Sequence, residues 1–155
     1  MSKIDYEKLL NKAQFEAVTH KTGPILVIAG AGSGKTRVIT YRIAYLINEM
    51  KVNPWNIMAV TFTNKAANEM KERLRDMIGE DLVRKLLIGT FHSIAFKLLR
   101  YNSELLKINK NFVIFDSTDQ NSLIKECMED LNISDEKYKP VYFKSIISDA
   151  KNRFL

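Results

Sequence analysis

Only one cysteine, Cys127, stands among the 155 residues. No internal disulfide framework is available, and the usage suits a reducing compartment. Histidine is nearly as scarce: His20 and His92 are far apart, so a metal centre of several Cys, or of Cys with paired His, has no ligand set. Three prolines and six glycines exclude a collagen-like chain. No apolar run approaches the roughly 18–20 residues of a membrane-spanning helix. Residues 1–10 mix Lys3, Asp5, Glu7 and Lys8 and carry no apolar signal segment. These absences lead to the expectation of a cytoplasmic protein with no membrane partner. What is present, 46% hydrophobic and 27% charged residues, is enough to bury a core in about one domain.

Charge is unevenly placed. Residues 1–100 carry 16 Lys/Arg against 9 Asp/Glu, whereas residues 101–155 carry 8 against 9. The whole excess of the +6 net charge lies in the first two thirds, where a polyanionic partner would be met. By itself such a balance serves solubility equally well.

The apolar pattern alternates between two periods. Ile25 to Ala29 is short, continuous and β-branched, like a strand covered on both faces. Residues 36–50 place Ile39, Ile43, Leu46 and Met50 on one helical face, and Asn53-Pro54 breaks that helix. Ile57 to Phe62 predicts a second buried strand. Residues 64–78 predict a helix with Ala67, Met70, Leu74 and Met77 on one stripe, ended by Gly79. Residues 87–90 predict a third strand and 91–101 another helix. The alternation implies an α/β fold around a mainly parallel sheet. From about residue 110 the chain turns helical, with Ser117 to Gln120 expected as a capping box. Leu123, Ile124, Cys127, Met128 and Leu131 then share one helix face, and Cys127 is expected there as a small buried hydrophobe. A last helix, near residues 141–155, has no Gly or Asn stop signal. The expected organisation is one α/β portion over 1–109 and, over 110–155, the beginning of a mostly helical second subdomain.

The segment Ala29-Gly30-Ala31-Gly32-Ser33-Gly34-Lys35-Thr36 joins the first expected strand to the first long helix. That is the setting of a Walker A phosphate loop, with Ala29 in place of the usual first glycine. Gly30, Gly32 and Gly34 let successive N–H groups curl inward toward phosphate oxygens. The helix N-terminus adds partial positive charge. Lys35 can reach the β- and γ-phosphates, and the Thr36 hydroxyl can ligate Mg²⁺. Upstream, Gln14 carries an amide able both to donate to and to accept from one adenine edge, although a glutamine on a surface helix can equally be solvated.

Two further segments lie where expected strands turn into helices, the side on which open α/β sheets bind ligands. They are Phe62-Thr63-Asn64 and Thr90-Phe91-His92-Ser93. Hydroxyls and helix N-termini suit backbone phosphates, and a Phe face suits stacking on an unpaired base. Spacing alone is served more simply by core phenylalanines and by Thr63, Asn64 and Ser93 as helix caps.

Taken in order, QFEAV, AGAGSGKTR, AVTFTNKAANEM and IGTFHSIAFKLLR resemble the superfamily 1 DNA helicases of the UvrD, Rep and PcrA group. The later FVIFDSTDQ and SDAKNRFL stretches extend the resemblance over essentially the whole chain. It implies a P-loop NTPase (RecA-like) parallel sheet flanked by helices, subdomain 1A, followed by the start of helical subdomain 1B. It implies that Gln14 reads adenine and that Ala29 to Thr36 hold ATP and Mg²⁺, with Lys35 and Thr36 in the catalytic set and Arg37 near the nucleotide. Phe62, Thr63 and Asn64, with Thr90, Phe91 and His92, match the motifs that grip single-stranded DNA. The implied activity is ATP-driven 3′-to-5′ translocation and unwinding, at single-strand/duplex junctions and with further helicase subdomains of a parent chain as partners.

Phosphoryl transfer to water also needs an acidic residue behind the Mg²⁺, a water-activating group and cations on the γ-phosphate. The run Phe112 to Phe115 ending in Asp116 has a Walker B outline but no adjacent Glu, so Asp116 is read as a turn before a helix. The group's Asp-Glu motif and arginines lie further along its chains, and this piece alone is expected to be inactive. Two alternatives stay open from sequence: the helicase portion of a recombination nuclease, and a small P-loop kinase. A kinase would need an arginine-bearing lid, and beyond residue 102 only Arg153 is available.

Overall fold

The computed structural model describes residues 4–134 and 138–154. It divides into two compact units, residues 1–106 and 107–155.

In the first unit, α1 (Tyr6–Leu9) and α2 (Lys12–Thr19) precede an irregular stretch that leads to α3 (Lys35–Asn48). Asn53 caps a single 3-10 turn at Pro54–Asn56, where Pro sits at a position needing no N–H. Strand β1 (Met58–Thr61) then runs into α4 (Asn64–Ile78), the short α5 (Glu80–Val83), strand β2 (Leu87–Thr90) and α6 (Phe91–Tyr101). Gly79 ends α4 with φ +85°, a backbone setting glycine adopts without a Cβ penalty. β1 and β2 are parallel, with Met58 opposite Leu87 and Thr61 opposite Thr90.

The main core lies where α3 and α4 cover this sheet. Ile43, Ala44 and Ile47 of α3 meet Ala67, Met70, Leu74 and Ile78 of α4, together with Ile57, Ala59 and Ile88 from the strands. The α4 contributions recur every three or four residues, one stripe of a helix. Ile78 takes part in the stripe fully buried, while Met77 is only partly covered. A smaller cluster of Tyr6, Leu10, Val18 and Val38 holds α1 and α2 against α3. Two guanidinium groups lash the same elements: Arg42 Nη1 donates to the Val18 carbonyl at 2.6 Å, and Arg37 Nη2 to the Leu9 carbonyl at 2.7 Å.

The strand expected over Ile25 to Ala29 does not form. The segment is irregular, and Leu26 and Ile28 are 85% and 90% exposed. A strand apolar on both faces is stable only between neighbouring strands, and the sheet of the described residues has two members that pair with each other. The fold is therefore a mixed α/β unit around a two-stranded parallel sheet.

The second unit holds α7 (Ser117–Asp130) and α8 (Pro140–Asn152). The expected capping box shifts by one residue: Asp116, not Ser117, is the cap, and its carboxylate accepts from the N–H of Thr118 and Asp119 at 2.7 and 2.9 Å. Asp119 returns the bond to the Asp116 N–H at 3.0 Å. The carboxylate outcompetes a hydroxyl because the helix N-terminus carries partial positive charge. Cys127 is exposed rather than buried. It lines an open apolar groove of about 740 Å³ with Leu123, Met128, Phe143 and Ile147, since two helices alone cannot cover both apolar faces. Leu155, the end of the expected last helix, lies outside the described residues.

Candidate nucleotide and nucleic-acid site

Two groups of side chains come together in the first unit. One surrounds the N-terminus of α3. Gly34 is the N-cap residue there, with φ +88°, and no side chain caps the helix. Its first amides therefore lack intrahelical partners and remain available to an anion. Gly32 also has positive φ (+75°), so the chain turns twice in a way residues with a Cβ resist. The loop closes on itself: the Ser33 hydroxyl donates to the Gly30 carbonyl at 2.7 Å. Lys35 folds back over it, its Nζ donating to the carbonyls of Gly30 at 2.7 Å and Ala29 at 3.1 Å. The ammonium thus sits over the loop carbonyls, where incoming phosphate oxygens would compete for it. Thr36 is partly exposed on the first helical turn.

Gln14 reaches this loop from α2. Its Nε2 donates to the Ser33 carbonyl at 3.1 Å, and a Cβ placed on Gly34 would lie 2.9 Å from that nitrogen. Gly34 is thus fixed by its φ, and a Cβ there would also displace the end of the Gln14 side chain. The other end of the amide, Oε1, accepts from the Asn11 N–H at 3.2 Å, while Asn11 Oδ1 accepts from the Gln14 N–H at 2.9 Å. This reciprocal cap is a structural feature that site prediction overlooked. Its signal was legible, an Asn followed three residues later by Gln ahead of a helical run. Arg37, expected near the nucleotide, rests on the Leu9 carbonyl with its guanidinium 5.3 Å from the Tyr41 ring centroid. It points to the chain segment that leads into Gln14.

The second group lies at the C-terminal ends of the parallel strands. Because Thr61 and Thr90 are in register, the residues after them emerge side by side. Phe62 and Phe91 pair with ring centroids 5.9 Å apart and planes tilted by 54°. Neither is core: Phe62 is 92% exposed and Phe91 59%. Of the three caps in the simpler expectation only Thr63 serves as one, and α6 is capped by Thr90. Thr63 Oγ1 accepts from the Ala66 N–H at 3.1 Å and Thr90 Oγ1 from the Ser93 N–H at 3.2 Å. Asn64 is the first residue of α4 rather than its cap, and Ser93 donates back to the Thr90 carbonyl at 3.0 Å. Thr61 shapes the turn from beneath, its hydroxyl donating to the Thr63 carbonyl at 3.0 Å. His92 is exposed beside Phe91. Gly89 lets α6 start this close to the strand, since a Cβ there would meet Ser93 Oγ at 2.5 Å.

The donor set around α3 fits a nucleotide triphosphate: uncapped amides, one lysine and one hydroxyl. For Mg²⁺ it offers the Thr36 hydroxyl, and no cluster of three or more His, Cys, Asp or Glu suited to a metal occurs among the described residues. Asp116 does not extend the set, because its carboxylate is committed to the α7 cap and is held below its ordinary pKa by those backbone donors. No helix of the described residues is long and apolar enough to cross a membrane.

Comparison with known proteins adds a direct line. The family described as UvrD/REP helicase N-terminal domain matches residues 10–155. The chain is 47% identical over 146 residues to the ATP-dependent DNA helicase PcrA of Leuconostoc citreum, which covers 94% of this chain and 20% of that protein. It is 48% identical over 143 residues to the PcrA of Staphylococcus aureus strain Mu50, covering 92% of this chain and 20% of the relative. A similar match is found with the PcrA of Staphylococcus epidermidis, at 48% over 145 residues. The chain spans about a fifth of the length of these curated relatives.

Proposed function

The chain belongs to the UvrD/REP helicase N-terminal domain family, and from that premise we propose that it is the nucleotide-binding and strand-gripping portion of an ATP-dependent DNA helicase. Its first unit is read as the RecA-like 1A portion, and residues 110–155 as the beginning of 1B. The parent enzyme couples ATP hydrolysis to 3′-to-5′ movement along one strand and to unwinding at junctions, working with its other subdomains.

The observation that carries this reading is the loop of residues 29–34, wrapped under Lys35 at a helix N-terminus that no side chain caps. In it, amides of the loop and of the first α3 turn receive the β- and γ-phosphate oxygens, and Lys35 exchanges the Gly30 carbonyl for phosphate. Gln14 meets the base, and Arg37, bonded to the Leu9 carbonyl, steadies the segment that leads into Gln14. The Thr36 hydroxyl would be this chain's ligand to a Mg²⁺ ion bound with the nucleotide, which would neutralise phosphate charge. The DNA strand passes over Phe62 and Phe91, with Thr63, Asn64, Thr90 and His92 beside its backbone. Exposed aromatics stack on any base, which suits a motor that must move regardless of sequence.

The test is fluorescence anisotropy of a labelled oligo-dT with the 155-residue chain. Binding should weaken as salt rises. Phe62→Ala should lower affinity by about five- to a hundredfold, the scale of one lost stacking contact. Its thermal unfolding should stay unchanged, because the ring is 92% exposed. Equal affinity of the variant and the parent chain would contradict the assignment.

A further inference from the structure

We propose that Ser33 is a positioning residue that latches the phosphate loop in a closed form, and that phosphate binds only once its hydroxyl releases the Gly30 carbonyl. The proposal rests on reading residues 29–36 as the triphosphate site, and it concerns the loop's own bonds rather than the base. Those bonds converge on one atom. The Gly30 carbonyl oxygen accepts from the Ser33 hydroxyl at 2.7 Å, from Lys35 Nζ at 2.7 Å and from the Ser33 N–H at 3.4 Å. An ammonium, a hydroxyl and a backbone amide around one oxygen are the donors that a phosphate oxygen would gather. The carbonyl therefore competes with the ligand for the same groups. Both are acceptors, so they cannot share the place: oxygen would face oxygen with no hydrogen between them.

Of these donors, the Ser33 hydroxyl is the one that holds the carbonyl in place. Lys35 reaches in on a flexible four-carbon stem and can swing to a phosphate without moving the backbone. The Ser33 side chain is short, and its residue is fixed from behind. Its carbonyl accepts from Gln14 Nε2 at 3.1 Å, and Gly34 beside it opens α3. A hydroxyl anchored in this way ties residue 30 to the start of the helix. The Gly30 end of the contact is the one able to move. A Cβ built there would meet nothing within 4 Å, so on that side no neighbour stands in its way. A loop divided between closed and open forms binds with an affinity reduced by the fraction that is open. One neutral hydrogen bond changes that fraction by about two- to tenfold.

The experiment titrates the 155-residue chain, Ser33→Ala and Ser33→Thr with tripolyphosphate and with MgATP, and NMR line shapes give the affinity and both rate constants. Ser33 is exposed, so both variants should fold as the parent chain does, which thermal unfolding checks. Ser33→Ala removes the hydroxyl and should bind tripolyphosphate about two- to tenfold more tightly. The gain should come through faster association with dissociation unchanged, because the lost contact belongs to the closed form alone. Ser33→Thr keeps a hydroxyl and should return the affinity to that of the parent. Weaker binding by Ser33→Ala would show the hydroxyl serving the phosphate instead, and equal binding would show that it restrains nothing. Either result overturns the proposal and leaves the triphosphate site standing, as does a tighter complex reached through slower dissociation. Failure of the parent chain and Ser33→Ala alike to bind tripolyphosphate or MgATP contradicts the reading of the loop itself, and this proposal with it.

Discussion

At the scale of single residues, the site is held by conformations that few side chains tolerate. Gly34 combines a left-handed backbone with a Gln14 nitrogen 2.9 Å from where a Cβ would stand. Gly34→Ala should cost about 1–2 kcal/mol of stability from the backbone alone. It should also push Gln14 off the Ser33 carbonyl. Chemical denaturation checks the first effect, and side-chain amide shifts of Gln14 the second. An alanine variant as stable as the parent, with Gln14 unmoved, would contradict the geometry. The glycines of this loop were legible in sequence as turn formers, and Gly32 and Gly34 do adopt positive φ. The exposure of Phe62 and Phe91 was not legible. A phenylalanine after a strand reads as core, and only the parallel register of Thr61 with Thr90 brings the two rings out side by side. Arg37 was placed near the nucleotide by resemblance, whereas its bond to the Leu9 carbonyl is a tertiary fact that no local pattern encodes.

At the scale of elements, strong periodicity was a reliable guide and burial on two faces was not. The helices over 64–78 and 91–101 and the strand over 87–90 stand where the pattern put them. Each carries its own instruction, an apolar stripe or a Thr cap at the start. The run Ile25 to Ala29 carries only half of one. Its composition calls for neighbours on both sides, and a strand cannot supply its own ladder. The α7 terminus shows how electrostatics decided between adjacent candidates. Asp116 is held below its ordinary pKa of 3.8 first by the N–H groups of Asp119 and Thr118, with Lys144 adding a smaller pull. A carboxylate with a depressed folded-state pKa stabilises fully above its unfolded value and loses that contribution as pH falls through the folded one. The amide signals of Thr118 and Asp119 should therefore keep their neutral-pH positions down to the ordinary aspartate range and shift only below it. Asp116→Ala should abolish that transition. A transition above the ordinary range would contradict the cap.

At the scale of the whole molecule, we propose that the chain supplies a nucleotide cradle and that hydrolysis needs groups from the rest of a parent enzyme. Among the described residues, no carboxylate cluster suited to a metal occurs, and the one Walker B look-alike is committed to a helix cap. Water activation and cations on the γ-phosphate belong, in this account, to the remaining four fifths of the relatives' length. DNA-stimulated ATP turnover by the 155-residue chain should accordingly be indistinguishable from background in a phosphate-release assay. Turnover abolished by Lys35→Ala would return Asp116 to the metal site. The most direct measurement is a heteronuclear NMR titration of the chain with MgATP. Amide shifts concentrated in residues 30–37 and at Gln14, absent from Lys35→Ala, are the expected result. Shifts located elsewhere, or identical in the lysine variant, would contradict the claim that this loop receives the triphosphate.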